Sequence, residues 1–176
     1  MITKNFKNFL ASILCTRGTY AMGWLPIKTV QNQNKYTASY FGSSSYFPST
    51  VSSNVRTDYT GAGVQLGSGT TPATENDYRI ETPIGSTNVA VAVTAQNVLD
   101  NDDLCVQYDI LVTNNRSSDL TIAEIGYAQT IAVTDSKGST SPSSSVVLFD
   151  RTVLDTPVEI PAGEQGTIRY RLKVAA

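Results

Sequence analysis

The stretch Val146-Val147-Leu148-Phe149-Asp150-Arg151-Thr152-Val153-Leu154-Asp155-Thr156-Pro157-Val158-Glu159-Ile160, then Pro161-Ala162-Gly163, then Thr167-Ile168-Arg169-Tyr170-Arg171-Leu172-Lys173-Val174, decides the fold class. Two strand-like runs meet there at a Pro-Ala-Gly turn. In the second run Ile168, Tyr170, Leu172 and Val174 fall on one face and Arg169, Arg171 and Lys173 on the other. That is the period of two imposed by a strand with one buried face. It reads as a half-buried antiparallel strand, expected to be central to the fold.

The same period recurs upstream. Val89, Val91 and Val93 alternate with Ala and Thr, and Leu104, Val106, Tyr108, Ile110 and Val112 alternate with Cys105, Gln107, Asp109 and Leu111. These runs are β-branched or aromatic at every second position. Asp100-Asn101-Asp102-Asp103 between them is turn chemistry and predicts a hairpin. Its acids also suggest a calcium loop, but no Gly-x5-Glu follows to complete an EF-hand. A further strand ends in Asn114-Asn115-Arg116-Ser117-Ser118 and restarts as Leu120-Thr121-Ile122-Ala123-Glu124-Ile125-Gly126. Glu124 sits between apolar neighbours, which points to a partly buried carboxylate holding backbone amides or an arginine such as Arg151. Asn115-Arg116-Ser117 has the form of a glycosylation acceptor, relevant only in a eukaryotic secretory setting. Ser136 to Ser145 reads as a low-complexity loop joining two strands at an exposed end.

The block Gly61-Ala62-Gly63-Val64-Gln65-Leu66-Gly67-Ser68-Gly69-Thr70-Thr71-Pro72 invites a phosphate-loop reading. No Gly-Lys-Ser/Thr follows, and no Gly-x-Gly-x-x-Gly opens a long helix, so nucleotide binding is not supported. Val64 and Leu66 alternate as a strand end, and the glycines permit turns with positive φ. Thr71 before Pro72 predicts an N-cap with proline at the first position of a short helical turn, with Thr74 and Asp77 adding a capping contact.

At the N-terminus Ile2, Phe6, Phe9, Leu10, Ile13 and Leu14 recur at helical intervals, with Lys4, Asn5, Lys7, Asn8 and Ser12 between them. The interruptions argue for an amphipathic helix and against the continuous apolar run of a signal peptide. Thr3 is the expected N-cap, and Gly18 lies just beyond the expected end. Two packings remain open: against the chain's own domain, or against a neighbouring subunit as an assembly arm. A membrane surface suits the helix less, because its polar face carries few cations.

From Thr19 to Asp58 the pattern is irregular and rich in Tyr, Ser, Asn and Thr, with Tyr20, Trp24, Tyr36, Tyr40, Phe41, Tyr46 and Phe47 among few charges. It suits an extended arm or large loops. Either the aromatics form a binding or inter-subunit surface, or they cover one end of the domain's own core. Ser43-Ser44-Ser45 and Pro48-Ser49-Thr50 mark loop tips. The expected organisation is an N-terminal helix and aromatic arm over residues 1–58 and a β-sandwich over 59–176. The assembly interface is expected at Phe6, Phe9, Leu10, Ile13, Trp24, Tyr36, Tyr40 and Phe41.

Composition narrows the function classes. At 176 residues one core is the default, needing neither disulfide nor metal. A formal charge of -2 with scattered Lys and Arg disfavours direct nucleic-acid binding. The absence of His removes the commonest general base and the commonest transition-metal ligand. Cys15 and Cys105 lie in apolar settings without metal spacing and read as buried or partly buried free thiols; a disulfide between them does not follow from the sequence. A hydrolase would have to rely on carboxylates such as Asp77, Glu81 or Asp109, and nothing in the sequence places two of them together. No catalytic, metal or cofactor site is expected. About seven strands with turn-rich loops and one helix indicate a mainly-β, antiparallel β-sandwich, jelly-roll or immunoglobulin-like, with an N-terminal amphipathic helix.

Three blocks carry a resemblance. Phe149 to Val158 leading into Ile160-Pro161-Ala162-Gly163 and the last strand resembles the C-terminal region of small virion proteins of tailed bacteriophages. Gly67-Ser68-Gly69-Thr70-Thr71-Pro72-Ala73-Thr74-Glu75-Asn76-Asp77-Tyr78 looks like a segment recurring in that class, and Val112 to Tyr127 is similar to phage structural and tail-associated β domains. The resemblance runs from Gly61 onward. It implies a non-enzymatic structural protein located in the virion, a homo-oligomer in multiple symmetric copies whose partners are other capsid or tail proteins. The alternative it implies is a host-surface receptor-binding module of the tail, built on the aromatic Tyr20 to Phe47 region. No membrane partner is implied.

Overall fold

The computed structural model describes residues 1–14, 25–37, 54–100, 103–137 and 143–173. Among these described residues one helix, α1 (Lys4–Leu14), precedes nine strands: β1 (Pro26–Lys28), β2 (Asn34–Thr37), β3 (Val55–Arg56), β4 (Gly63–Gly67), β5 (Val89–Asp100), β6 (Asp103–Asn114), β7 (Leu120–Thr134), β8 (Ser143–Ile160) and β9 (Gln165–Lys173). The protein is a mainly-β sandwich of two sheets with one N-terminal helix. The larger sheet runs β1-β2-β7-β4-β3 with β8 along β7, and the smaller runs β5-β6-β9. All pairs are antiparallel except the two-residue β3–β4 contact, which is parallel.

The alternation read from the sequence is what packs the sheets together. Val89, Val91 and Val93 of β5, Tyr108, Ile110 and Val112 of β6, and Ile168 and Tyr170 of β9 face Val64, Leu66, Ile125, Tyr127, Val147 and Phe149 of the larger sheet. The predicted β5–β6 hairpin is present, with Asp100 opposite Asp103. Among the described residues β9 pairs with β6 alone and so lies at an edge of the smaller sheet. Its inner face still enters the core, Ile168 and Tyr170 being buried and Leu172 half-buried. The Pro-Ala-Gly turn carries the chain from one sheet to the other, with Gly163 at φ 81°. Asn114 braces this corner, its buried amide donating to the carbonyls of Ser118, Ile160 and Pro161.

Two irregularities position polar side chains. The β7–β8 register shifts between Ile122 and Glu124, so Ile122 and Ile125 both reach the core while Glu124 leaves by the other face. A second shift after Tyr127 leaves Phe149 unpaired with β7, which lets Phe149 and Asp150 both turn inward. Asp150 accepts the Tyr170 hydroxyl at 2.6 Å there.

The irregular Thr19 to Asp58 segment contains more order than its composition indicated, for β1 and β2 form an antiparallel pair and β2 joins β7 through Tyr36–Thr134 and Thr37–Val133. Short strands of three and four residues with Pro, Lys and Asn leave too little alternation to read. β8 also begins inside the expected 136–145 loop, at Ser143. The expected helical turn after Pro72 is absent. Thr74 and Asp77 close a turn instead, through Thr74 N–H to Asp77 Oδ2 at 2.9 Å and Thr74 Oγ1 to Asp77 Oδ1 at 2.8 Å. A side-chain acceptor that meets the backbone locally competes with helix formation.

Candidate functional site: a buried arginine and its carboxylates

On the outer face of the larger sheet, Arg151 of β8 lies opposite Gly126 of β7, two residues from Glu124. Diagonal neighbours on one face can touch, and Gly126 clears the space between them. A Cβ at Gly126 would stand 2.7 Å from Ile80 Cγ2, so glycine also admits the covering segment that follows β4. Arg151 Nε donates to Glu124 Oε2 at 2.8 Å. Glu124 is fully buried.

The glycine-rich block forms the other wall. Gly69 N–H donates to Glu124 Oε1 at 3.1 Å, Thr82 N–H to the same oxygen at 2.7 Å and Glu81 N–H to Oε2 at 3.0 Å. With Arg151 these donors fill the acceptor sites of one carboxylate. A Cβ at Gly67 or Gly69 would come within 2.4 or 2.5 Å of Glu124 Oε1, so both glycines are needed for the chain to pass so close. Backbone amides around an anion are the principle of a phosphate loop. Here the anion is the chain's own glutamate.

The guanidinium reaches further. Its NH1 donates to Asp77 Oδ2 at 2.8 Å, and its NH2 to the Thr71 carbonyl at 3.1 Å, with Glu81 Oε2 at 3.5 Å. Glu81 in turn accepts the amide and hydroxyl of Thr71 at 3.0 and 2.7 Å. Asp77 and Glu81, which no sequence pattern places together, therefore share one arginine. Asp109 lies on the other sheet, paired with Arg169 at 2.7 Å.

Partial burial disfavours the ionised form of Asp77, but the Thr74 amide, the Arg151 guanidinium and the Thr74 hydroxyl outweigh it and hold the carboxyl below its usual value. Burial likewise opposes the charge on Arg151, and Asp77 and Glu124 more than offset it. The Thr71 hydroxyl and amide hold Glu81 low. The cluster fixes the 68–84 segment on the sheet through groups whose donors and acceptors point at one another.

The residues expected to form an assembly interface are dispersed. Thr3 caps α1 as expected, its Oγ1 accepting from Phe6 N–H at 3.4 Å. Phe6 and Phe9 pack on Phe149 of the same chain, with ring centroids 4.9 and 5.2 Å apart, and Leu10 is half-buried. Asn5, on the polar side of the helix, is buried and exchanges hydrogen bonds with Lys28 of β1, while Asn8 donates to the Pro26 carbonyl. Tyr36 is half-buried on β2 with the Lys137 ammonium 5.6 Å from its ring centroid. The side chain of Ile13, and Trp24, Tyr40 and Phe41, lie outside the described residues, as do Tyr20 and Cys15.

Sequence reasoning singled out Glu124 with Arg151 as its partner, and the structure joins them. It missed the carboxylate-binding role of Gly67 and Gly69, for which the available signal was a glycine pair without the phosphate-loop lysine. It also missed Asn5 and Asn8, whose spacing of three places two amides on one helix face. Cys105 is a buried thiol. Among the described residues no helix is long and apolar enough to cross a membrane, and no three metal-ligating side chains are grouped to hold an ion. The chain matches no family model, and no curated protein or solved structure shows a significant match to it.

Proposed function

We propose that this protein is a non-enzymatic structural component of a tailed-bacteriophage virion, present in multiple symmetric copies on the capsid or tail with other virion proteins as partners. The observation that carries this reading is the saturation of the Arg151 cluster. The charged residues brought together on the sheet are occupied with backbone amides and one another, as a scaffold requires, whereas a hydrolase needs a carboxylate left free to take a proton. The three sequence blocks that resemble phage virion proteins supply the biological setting, and a β-sandwich suits that class.

The test is direct. Particles of the phage that carries the gene are purified and their proteins quantified by mass spectrometry. The expected result is this chain at a copy number matching a capsid or tail symmetry, and particles that assemble and infect without containing it would sink the proposal. Immunogold labelling of the same particles separates head from tail.

A further inference from the structure

The strands at the margins of the two sheets are treated differently. The β1 edge is capped by the Asn5 and Asn8 amides of α1. β8 is met by the N-terminal residues, with Ile2 bridged to Asp150 and Thr3 N–H donating to the Phe149 carbonyl at 2.9 Å. β3 is two residues long, and β9 carries Arg169, Arg171 and Lys173 along its length. Short strands, charges and covering elements are the devices that stop sheet edges from pairing with other chains.

Among the described residues β5 shows the least of this protection, β3 approaching it without pairing. It is twelve residues long, pairs on one side with β6, and has no other strand partner among the described residues. From Val89 to Leu99 it contains no charge, proline or glycine. The side chains of Ala90, Ala92, Thr94, Ala95, Gln96 and Asn97 are exposed, while the valines between the first of them lie on the core. A β-prone strand with a row of N–H and C=O groups unpaired by another strand is a template for one.

We infer that β5 pairs antiparallel with β5 of a second copy across a two-fold axis, joining the two three-stranded sheets into one continuous six-stranded sheet. The occupant is a second copy because the edge is complementary to itself. With the axis near Thr94, the strand midpoint, Ala92 meets Gln96 and Val91 meets Asn97, and no like charges oppose each other. The same pairing at β9 would set its three cations against themselves. About ten residues of paired strand supply roughly the ten hydrogen bonds of a typical protein interface. An antiparallel self-pairing also closes, since each β5 edge is used once and no further copy can add. This inference does not rest on the virion reading, because it concerns the isolated protein.

Sedimentation of the purified full chain over a concentration series tests it. The wild type is expected to run at twice its 18.9 kDa monomer mass. Thr94→Lys and Thr94→Asp, at an exposed position, are each expected to weaken the dimer by about fivefold through like-charge opposition, and an equimolar mixture of the two should restore it. That rescue separates lost pairing from lost folding, and circular dichroism of each variant checks the fold. A wild-type monomer throughout the series, or a dimer indifferent to both substitutions, overturns the inference. A dimer that survives both and is lost when Phe6 and Phe9 are replaced would assign association to α1 instead.

Discussion

Arg151 and Arg169 each hold a carboxylate at hydrogen-bond distance, 2.8 Å to Glu124 and 2.7 Å to Asp109, yet they stand in opposite surroundings. The side chains of Arg151 and Glu124 are 4% and 0% exposed, those of Arg169 and Asp109 61% and 29%. A buried pair has given up its hydration and depends on every remaining partner. An exposed pair trades one set of hydrogen bonds for another with water, screened by salt. The contrast teaches that distance alone does not rank ion pairs; the number of other groups that lose their partner when one member is removed does.

The largest effect is expected where that number is highest. Glu124→Ala strands Arg151 Nε and the amides of Gly69, Glu81 and Thr82 and should cost about 3–5 kcal/mol, the usual result of breaking a buried pair. The measurement is a urea titration of both proteins. A loss no greater than that of an exposed substitution would show that water replaces the carboxylate and that the cradle is not closed.

These two clusters also show how much was legible in the sequence. The alternation of Ile168, Tyr170 and Leu172 marked β9 and its inner face, because one-sided burial writes itself as a period of two, while Val174 lies outside the described residues. It could not tell an edge from a centre, since both alternate alike. Glu124 was visible as a lone acid among apolar residues. Its relation to Asp77 and Glu81 was hidden because a covering loop, and no periodic element, carries those acids to the sheet, and loop paths leave no pattern. The polar face of α1 misled for a similar reason: Asn5 looks solvated by composition but supplies β1 with hydrogen bonds.

Asp77 offers a graded version of the contrast, being buried on one side only. Its folded-state carboxyl is held low, so its contribution is present above the unfolded value of about 3.9 and is lost as pH falls through the folded value. Asp77→Asn should therefore destabilise by about 1–3 kcal/mol at neutral pH, the scale of a hydrogen bond to a charged group. The gap to wild type should close in acid, where wild-type Asp77 is itself neutral. Urea titrations at neutral pH and well below the carboxylate range decide the matter. A gap that stays constant with pH would mean that Asp77 acts through packing or through its Thr74 turn rather than through charge.

The smallest effect belongs to the exposed pair. Arg169→Ala removes the partner of Asp109 on the outer face of the smaller sheet, where water takes its place and where Gln107 still donates to Asp109 Oδ2 at 2.9 Å. Arg169 holds the Asp109 carboxyl below its usual value, so the substitution should let that carboxyl titrate closer to normal while the unfolding midpoint stays within the error of the titration. The two readings separate what an ion pair does to a proton from what it does to a fold. A large loss of stability with Arg169→Ala would place this pair beside Arg151 in kind, and would mean that side-chain exposure in the free chain understates how much of the fold leans on the β6–β9 face. An unchanged Asp109 titration, followed by carboxyl NMR, would instead show that the contact is not maintained in solution.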